Sequence, residues 1–217
     1  MIRNKAKHSG LVHWSGVFII LAELIIESPS TQKRMEDRMS ISAKGIVYLM
    51  RGLPACGKSH RARRLVGDDG IVLETDEYFY TQIGSDKTSY DYDKDLPPVA
   101  RKWNFARMRD AISREISPIV IDRGNGLNAE THEFALYATE NGYEVQLAEP
   151  DSKWWLELRV LLKYKEFVSD TLFDNWSERL ASNTKDTHRV PAATIKSWML
   201  KWRHDLTVQQ ILDNHLA

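Results

Sequence analysis

The chain is poor in cysteine, carries no net charge and has no apolar run long enough to cross a membrane. Cys56 is the sole thiol among 217 residues. That excludes an internal disulfide, fits a reducing, cytoplasmic interior and leaves no disulfide-linked partner to expect. Thirty Lys plus Arg balance thirty Asp plus Glu, so a grip on a polyanion has to come from a local basic face. Composition decides neither for nor against nucleic acid. No internal repeat is visible. Arg3, Lys5 and Lys7 precede an apolar stretch, Leu11 to Ile26, in the manner of a secretion signal. His13 and Glu23 interrupt it, and it falls short of the ~20 residues of a membrane span, so stable membrane insertion is not expected.

Residues 1–44 differ from the rest and are expected to be an N-terminal extension. Three readings stand: an amphipathic helix packing on the domain, a weak membrane-surface anchor, or sequence upstream of a true start at Met35 or Met39. The linker-like composition of Ser28 to Ser42 favours the last. Residues 45–217 suffice for one α/β domain with a sizeable core.

What is present is a phosphate loop. Gly52-Leu53-Pro54-Ala55-Cys56-Gly57-Lys58-Ser59 is a complete Gly-x-x-x-x-Gly-Lys-Ser string. The apolar run Gly45 to Met50 before it reads as a buried parallel strand, and His60 to Leu65 after it favours helix. In that setting the glycines let backbone N–H groups turn toward phosphate oxygens, and the helix aims its positive end at the same anion. Lys58 is placed to reach the β- and γ-phosphates of ATP, and the Ser59 hydroxyl to hold Mg²⁺. Cys56, at a helix N-terminus beside Lys58, is expected either to be unusually reactive or to be a small filler of the loop.

Further strands are expected at Gly70 to Thr75, at Pro118 to Ile121 and at Tyr143 to Ala148. Leu206 to Leu212 is open to a fifth strand or a short helix. The polar segment Thr81 to Pro98 reads as a long surface loop, followed by helical spacing from Val99 to Ile116 that includes Trp103, Phe105, Met108 and Ile112. Asn128 opens another helix, with Gly142 just past its end. Trp154, Leu158, Leu161 and Leu162 mark the stripe of a third, and Val190-Pro191 opens a fourth in which Ile195, Trp198, Met199 and Trp202 share a face. Strands alternating with helices predict a mainly parallel central sheet of about five strands, with helices on both faces and a helical lid.

The strand ends carry the chemistry. Asp122 follows Ile119-Val120-Ile121 as a metal-positioning carboxylate beside Ser59, or as the cap of the next turn. Asp76, at the end of the second strand, is placed as the base that takes a proton from an acceptor hydroxyl, or as a cap for the turn at Glu77. A carboxylate on the strand next to the phosphate loop can occupy the base's place. Asn183-Thr184-Lys185-Asp186 has the wrong order for the guanine-reading Asn-Lys-x-Asp of GTPases. Arg179, Lys185, His188 and Arg189 lie in a polar connection that reads as a cationic lid or as a solvated loop.

Taken in order, these residues resemble ATP-binding proteins of the P-loop kinase class. The resemblance rests on Gly52 to Ser59, Thr75-Asp76, Ala100 with Trp103-Asn104, and Ser117 to Asp122 with Asn125. It continues through Glu149-Pro150-Asp151 with Trp154 and Val190-Pro191 with Ile195. The group is similar to phage-type 5′-hydroxyl polynucleotide kinase and to the kinase-like domain of an animal ubiquitin-ligase-binding protein, over roughly Gly45 to Leu212. The resemblance implies a kinase passing the γ-phosphoryl group of ATP, with Mg²⁺, to a hydroxyl on a nucleotide or polynucleotide 5′ end. By resemblance Asp76 is the general base, Asp122 and Asn125 form the strand end near the metal, and Lys185 or Arg189 is the lid cation. Arg101, Trp103, Asn104 and Trp154 are candidate acceptor contacts, although both tryptophans also fit core stripes. A sugar or nucleotide-sugar kinase and an ATP-binding regulatory module without transfer are the alternatives. The departures are Arg123-Gly124 before Asn125, Arg101 in place of His, Ala181-Ser182 in place of Arg-Asn, and a segment from Trp155 to Leu180 longer than in compact relatives. They fall on the acceptor pocket and the lid, not on the phosphate loop.

Overall fold

Short apolar runs build the centre of the computed structural model, in which residues 43–82, 88–90, 92, 93, 95–185 and 189–213 are described. The expected N-terminal extension lies, through residue 42, outside the described residues. In chain order the strands are β1 (Gly45–Met50), β2 (Ile71–Glu74), β3 (Tyr80–Gln82), β4 (Thr88–Tyr90), β5 (Ile119–Asp122) and β6 (Tyr143–Ala148). Four of them form one parallel sheet in the order β2-β5-β1-β6. The helices are α1 (Lys58–Val66), α2 (Pro97–Ser113), α3 (Ala129–Glu140), α4 (Lys153–Lys163), α5 (Asp170–Ser182), α6 (Ala192–Leu200) and α7 (Val208–Leu212).

An all-parallel sheet must be covered on both faces, and alternation along the strands assigns the covers. Val47, Leu49, Leu73, Ile119 and Ile121 pack under α2, α3 and α7 through Met108, Phe134 and Ile211. Met50 and Val120 turn the other way, onto Ala62 of α1 with Leu65 and Val66 beside it. All four residues of β5 are buried, as befits a strand with neighbours on both sides. A third cluster joins α4, α5 and α6 through Trp155, Leu158, Phe173, Leu180, Ile195 and Met199, and it reaches the phosphate loop at Leu53 and Cys56.

The fold class is as the sequence implies, with differences in detail. The sheet has four strands rather than about five, because Leu206 to Leu212 becomes α7, whose start is fixed by a Thr207–Gln210 capping box. The segment expected as one long loop contains an antiparallel ribbon, β3 with β4, and ends where Pro97 opens α2. β2 is not next to β1; β5 lies between them, so Asp76 follows a strand one place further from the loop than expected. Trp155, not Trp154, is the buried tryptophan of α4, which shifts that stripe by one residue to Trp155, Leu158 and Leu162. On α6, Ile195 and Met199 are buried, whereas Trp198 is exposed and Trp202 lies past the helix end.

Candidate active site

The phosphate loop runs from the end of β1 into α1 at the carboxyl rim of the sheet. Gly52 (φ 144°) and Gly57 (φ 91°) hold backbone that L side chains rarely adopt, and Gly57 is the residue from which α1 starts. Ala55 is held at φ 57° between them, a strained angle of the kind found at ligand sites. Three clamps fix this shape. Ser152, the cap of α4, donates its hydroxyl to the Cys56 carbonyl (2.9 Å) while accepting the Trp155 N–H. Asp151 pairs with Arg61 (3.2 Å) and Arg64 (2.7 Å) of α1. Arg51, 4 % exposed, pairs with Glu149 (3.5 Å) and lies 4.5 Å from the Trp202 ring centroid, joining the end of β1 to the chain beyond α6. Burial lowers the Arg51 pKa from its ordinary value, against the pull of Glu149 and Asp205. The Glu-Pro-Asp string is thus a brace for the loop.

Lys58 donates to the Leu53 carbonyl (2.9 Å). Burial lowers its pKa, opposed first by Asp122 and then by Cys56 and Asp76, so two carboxylates bear on this ammonium. Ser59 is half-buried beside it. Asp122 is 6 % exposed at the end of β5, and its Oδ2 has no hydrogen-bond partner. A buried carboxylate oxygen without a donor is costly in an apo site and suits a cation; Ser59 and Asp122 therefore fit a magnesium position. Asn125, 2 % exposed, donates to the carbonyls of Met50 (2.9 Å) and Ile121 (3.0 Å), locking the ends of β1 and β5 together.

Asp76 is half-buried in a 3-10 turn, Thr75–Phe79, that follows β2. The turn opens one residue before Asp76, and its N-cap position is Glu74. Asn104 of α2, fully buried, donates to the Thr75 hydroxyl (3.1 Å) and so steadies the turn. Arg107 pairs with Glu77 and lies over the Trp103 ring (4.4 Å), which also meets Tyr78. Beside the turn, Glu130 receives both Arg123 (2.5 Å) and Arg101 (3.1 Å). Burial lowers the Arg123 pKa; Glu130 opposes this most, and Asp76 adds to the opposition.

Lys58, Ser59, Asp76 and Asp122 are thereby brought to one rim. For Lys185 and Arg189 no bond to that rim is seen among the described residues, although their neighbours Ala181 and Val190 share a cluster with Leu53 and Cys56 of the loop. Both cations are exposed at the connection between α5 and α6, where Arg189 bonds back to the Lys185 carbonyl (3.3 Å). His188 lies outside the described residues. Trp103 and Trp154 are half-buried, the latter beside Arg179 (5.5 Å). Cys56 is 1 % exposed in the cluster with Leu53 and Trp155, and burial pushes its pKa up to about 11 despite Lys58. It is the filler, and the reactive-thiol expectation is corrected, because the side chain is buried in that apolar cluster.

Glu74 was not singled out in the sequence. It ends β2 in register with Asp122, and burial, with Asp122 and Glu77 adding repulsion, pushes its pKa up to about 7. The signal was available: a Glu two residues before Asp76, where the strand's apolar run stops.

A family model described as AAA domain matches residues 47–156, from β1 through the start of α4. The chain belongs to this AAA-domain family. It is also 37 % identical to human NEDD4-binding protein 2 over 112 residues, 51 % of this chain and 6 % of that protein. The similarity to human YLP motif-containing protein 1 is 26 % over 147 residues, 58 % of this chain and 6 % of that protein; for the rat protein of the same name the share is 10 %. The chain therefore spans a small part of the curated relatives it matches. Together with the parallel sheet and the loop, these matches make it a P-loop kinase-like protein with a nucleotide-binding P-loop domain. Among the described residues no helix is long and apolar enough to cross a membrane.

Proposed function

We propose that the chain is an ATP- and Mg²⁺-dependent phosphotransferase, moving the γ-phosphoryl group to the hydroxyl of a nucleotide or a polynucleotide 5′ end. The observation that carries this reading is that Lys58 of the phosphate loop lies within electrostatic reach of both Asp122 and Asp76, at the ends of two neighbouring strands. A nucleotide-binding loop alone needs a charge clamp and a metal carboxylate; the further carboxylate on a braced turn is what proton removal from an acceptor requires.

In this reading the loop's N–H groups, from Gly52 to Ser59, cradle the phosphates, and Lys58 offsets charge on the group in transfer. Ser59 and Asp122 are the residues that would hold Mg²⁺, which supplies positive charge to the leaving phosphates. Asp76 accepts the acceptor's proton as the new O–P bond forms and the bond from the γ-phosphorus to its bridging oxygen breaks, releasing ADP. Asn104 keeps the turn of Asp76 in place. Arg101, Trp103 and Trp154 remain candidate contacts for the acceptor, and Lys185 or Arg189 acts by closing over the phosphates. The working domain runs over residues 45–217, in the cytoplasm.

One observation favours a second reading, an ATP-binding module that meets another protein and transfers nothing. The Arg189 side chain is held by the Lys185 carbonyl of its own connection, and one relative carries NEDD4 binding in its name. Incubation with γ-labelled ATP separates the cases: alone, with 5′-hydroxyl DNA or RNA oligonucleotides, and with a panel of nucleosides and sugars. Label on an oligonucleotide or nucleotide end supports the proposal. Label on sugars alone moves the acceptor class, and saturable ATP binding without any labelled product favours the module.

A further inference from the structure

The rim of the sheet carries one carboxylate more than the proposed chemistry uses. Glu74 and Asp122 are the last residues of β2 and β5 and face each other in the parallel register. Opposed residues on adjacent parallel strands leave the sheet on the same side, with the strands about 4.8 Å apart. That side belongs to α1, because Val72 and Val120, two positions earlier on the same strands, pack with Ala62, Leu65 and Val66. α1 opens on Lys58 and Ser59. Asp122, at 6 % exposure with Oδ2 unpartnered, is aimed into this corner. Of the charges bearing on Glu74, Asp122, Glu77 and Asp76 repel it and Arg63 attracts it. The Lys58 ammonium, on which Asp122 also acts, is bonded to the Leu53 carbonyl. Two carboxylates thus repel each other at neighbouring strand ends, and a buried oxygen of one has no donor.

We infer that Glu74 is a second carboxylate of the magnesium position, acting beside Asp122 as a positioning residue. The inference rests on the nucleotide-and-magnesium reading above. Mg²⁺ keeps several waters and takes one or two protein carboxylates rather than an all-protein cage. β2 lies one strand further from the loop than β5, and Glu, one methylene longer than Asp, recovers part of that distance.

Calorimetric titration of the full chain with ADP, in Mg²⁺ and in EDTA, tests this on the wild type and on E74Q. The expected result is that E74Q loses about 10-fold of the Mg²⁺-dependent gain in ADP affinity, while affinity in EDTA holds or rises. An ion pair with Arg63 of purely structural use would leave that ratio unmoved. An equal Mg²⁺ gain in both proteins overturns the inference and leaves the nucleotide reading intact. No Mg²⁺ gain in the wild type overturns both. If E74Q does not fold, E74D is compared instead: a reduced gain supports the inference, and an undiminished one overturns it.

Discussion

Lys58 lies where burial and carboxylates contend, and its consequences are the simplest to measure. Its ammonium is the one lysine charge inside the loop string, while the loop's shape rests on Gly52, Gly57, Ser152 and Asp151. Lys58→Ala should therefore keep the melting temperature near wild type and lower any nucleotide-dependent turnover on the order of 10²-fold or more. Unchanged ATP·Mg affinity together with unchanged turnover would remove the loop from the account. Cys56 gives an independent check. With its pKa near 11 it stays a buried thiol at neutral pH, so iodoacetamide should label it slowly and ATP·Mg should not alter the rate; fast labelling in the folded protein contradicts that burial. Glu74 sets a pH dependence. Its pKa is raised from 4.5 to about 7 by folding, so the folded state holds this proton more tightly than the unfolded chain. The stability it contributes is present below pH ~4.5 and is lost as pH rises through ~7. Calorimetric scans of the apo protein should show E74Q losing less stability than wild type over that interval, by about 1 kcal/mol once solvent screening of a half-buried carboxyl is taken off; parallel curves would contradict it. These residues differ in how far they could be read in advance. The loop string names Lys58 and Ser59 by spacing, whereas the direction of one Cys side chain and the partner of one strand-end Glu depend on contacts that no local pattern encodes.

Among the elements, α4 shows how a cap transmits fold to site. Ser152 starts the helix and donates to the Cys56 carbonyl, so one hydroxyl serves two structures. Ser152→Ala should cost about 1–2 kcal/mol in urea unfolding and should weaken ATP binding as well, since the loop carbonyl loses its donor. A stability loss with ATP affinity fully retained would separate the two roles. The strands were legible because a fully buried parallel strand is a short apolar run with a punctuating Gly or Pro. Helix phase was less so: Trp154 and Trp155 are adjacent, and only packing against Phe173 and Ile195 across the cluster decides that Trp155 points inward. α7 shows the opposite balance, where a Thr207–Gln210 box chooses helix over strand within a stretch whose periodicity is silent. The β3–β4 ribbon follows from pairing between two three-residue segments, too short for alternation to register.

For the whole molecule, the parallel order β2-β5-β1-β6 gathers the ends of β1, β2 and β5 on one rim, and this puts the loop, Asp122 and the turn of Asp76 within electrostatic reach. That topology was only half legible. Alternating strands and helices implied the class, but not that β5 would insert between β1 and β2. The connection between α5 and α6 was legible as polar, and in it the Arg189 side chain donates to the Lys185 carbonyl. A chain beginning at Met39 should unfold at the same temperature as the full chain if the extension lies outside the working domain; aggregation with exposed apolar surface would instead make residues 11–26 a cover for the core. The most direct test of the phosphoryl-transfer account is single-turnover transfer from γ-labelled ATP to a 5′-hydroxyl oligonucleotide by wild type and Asp76→Asn. The account predicts labelled oligonucleotide from the wild type, and ATP affinity retained with transfer lowered by about 10²-fold or more in the variant. Undiminished transfer by Asp76→Asn, or ATP binding by the wild type with no labelled acceptor of any class, would contradict it.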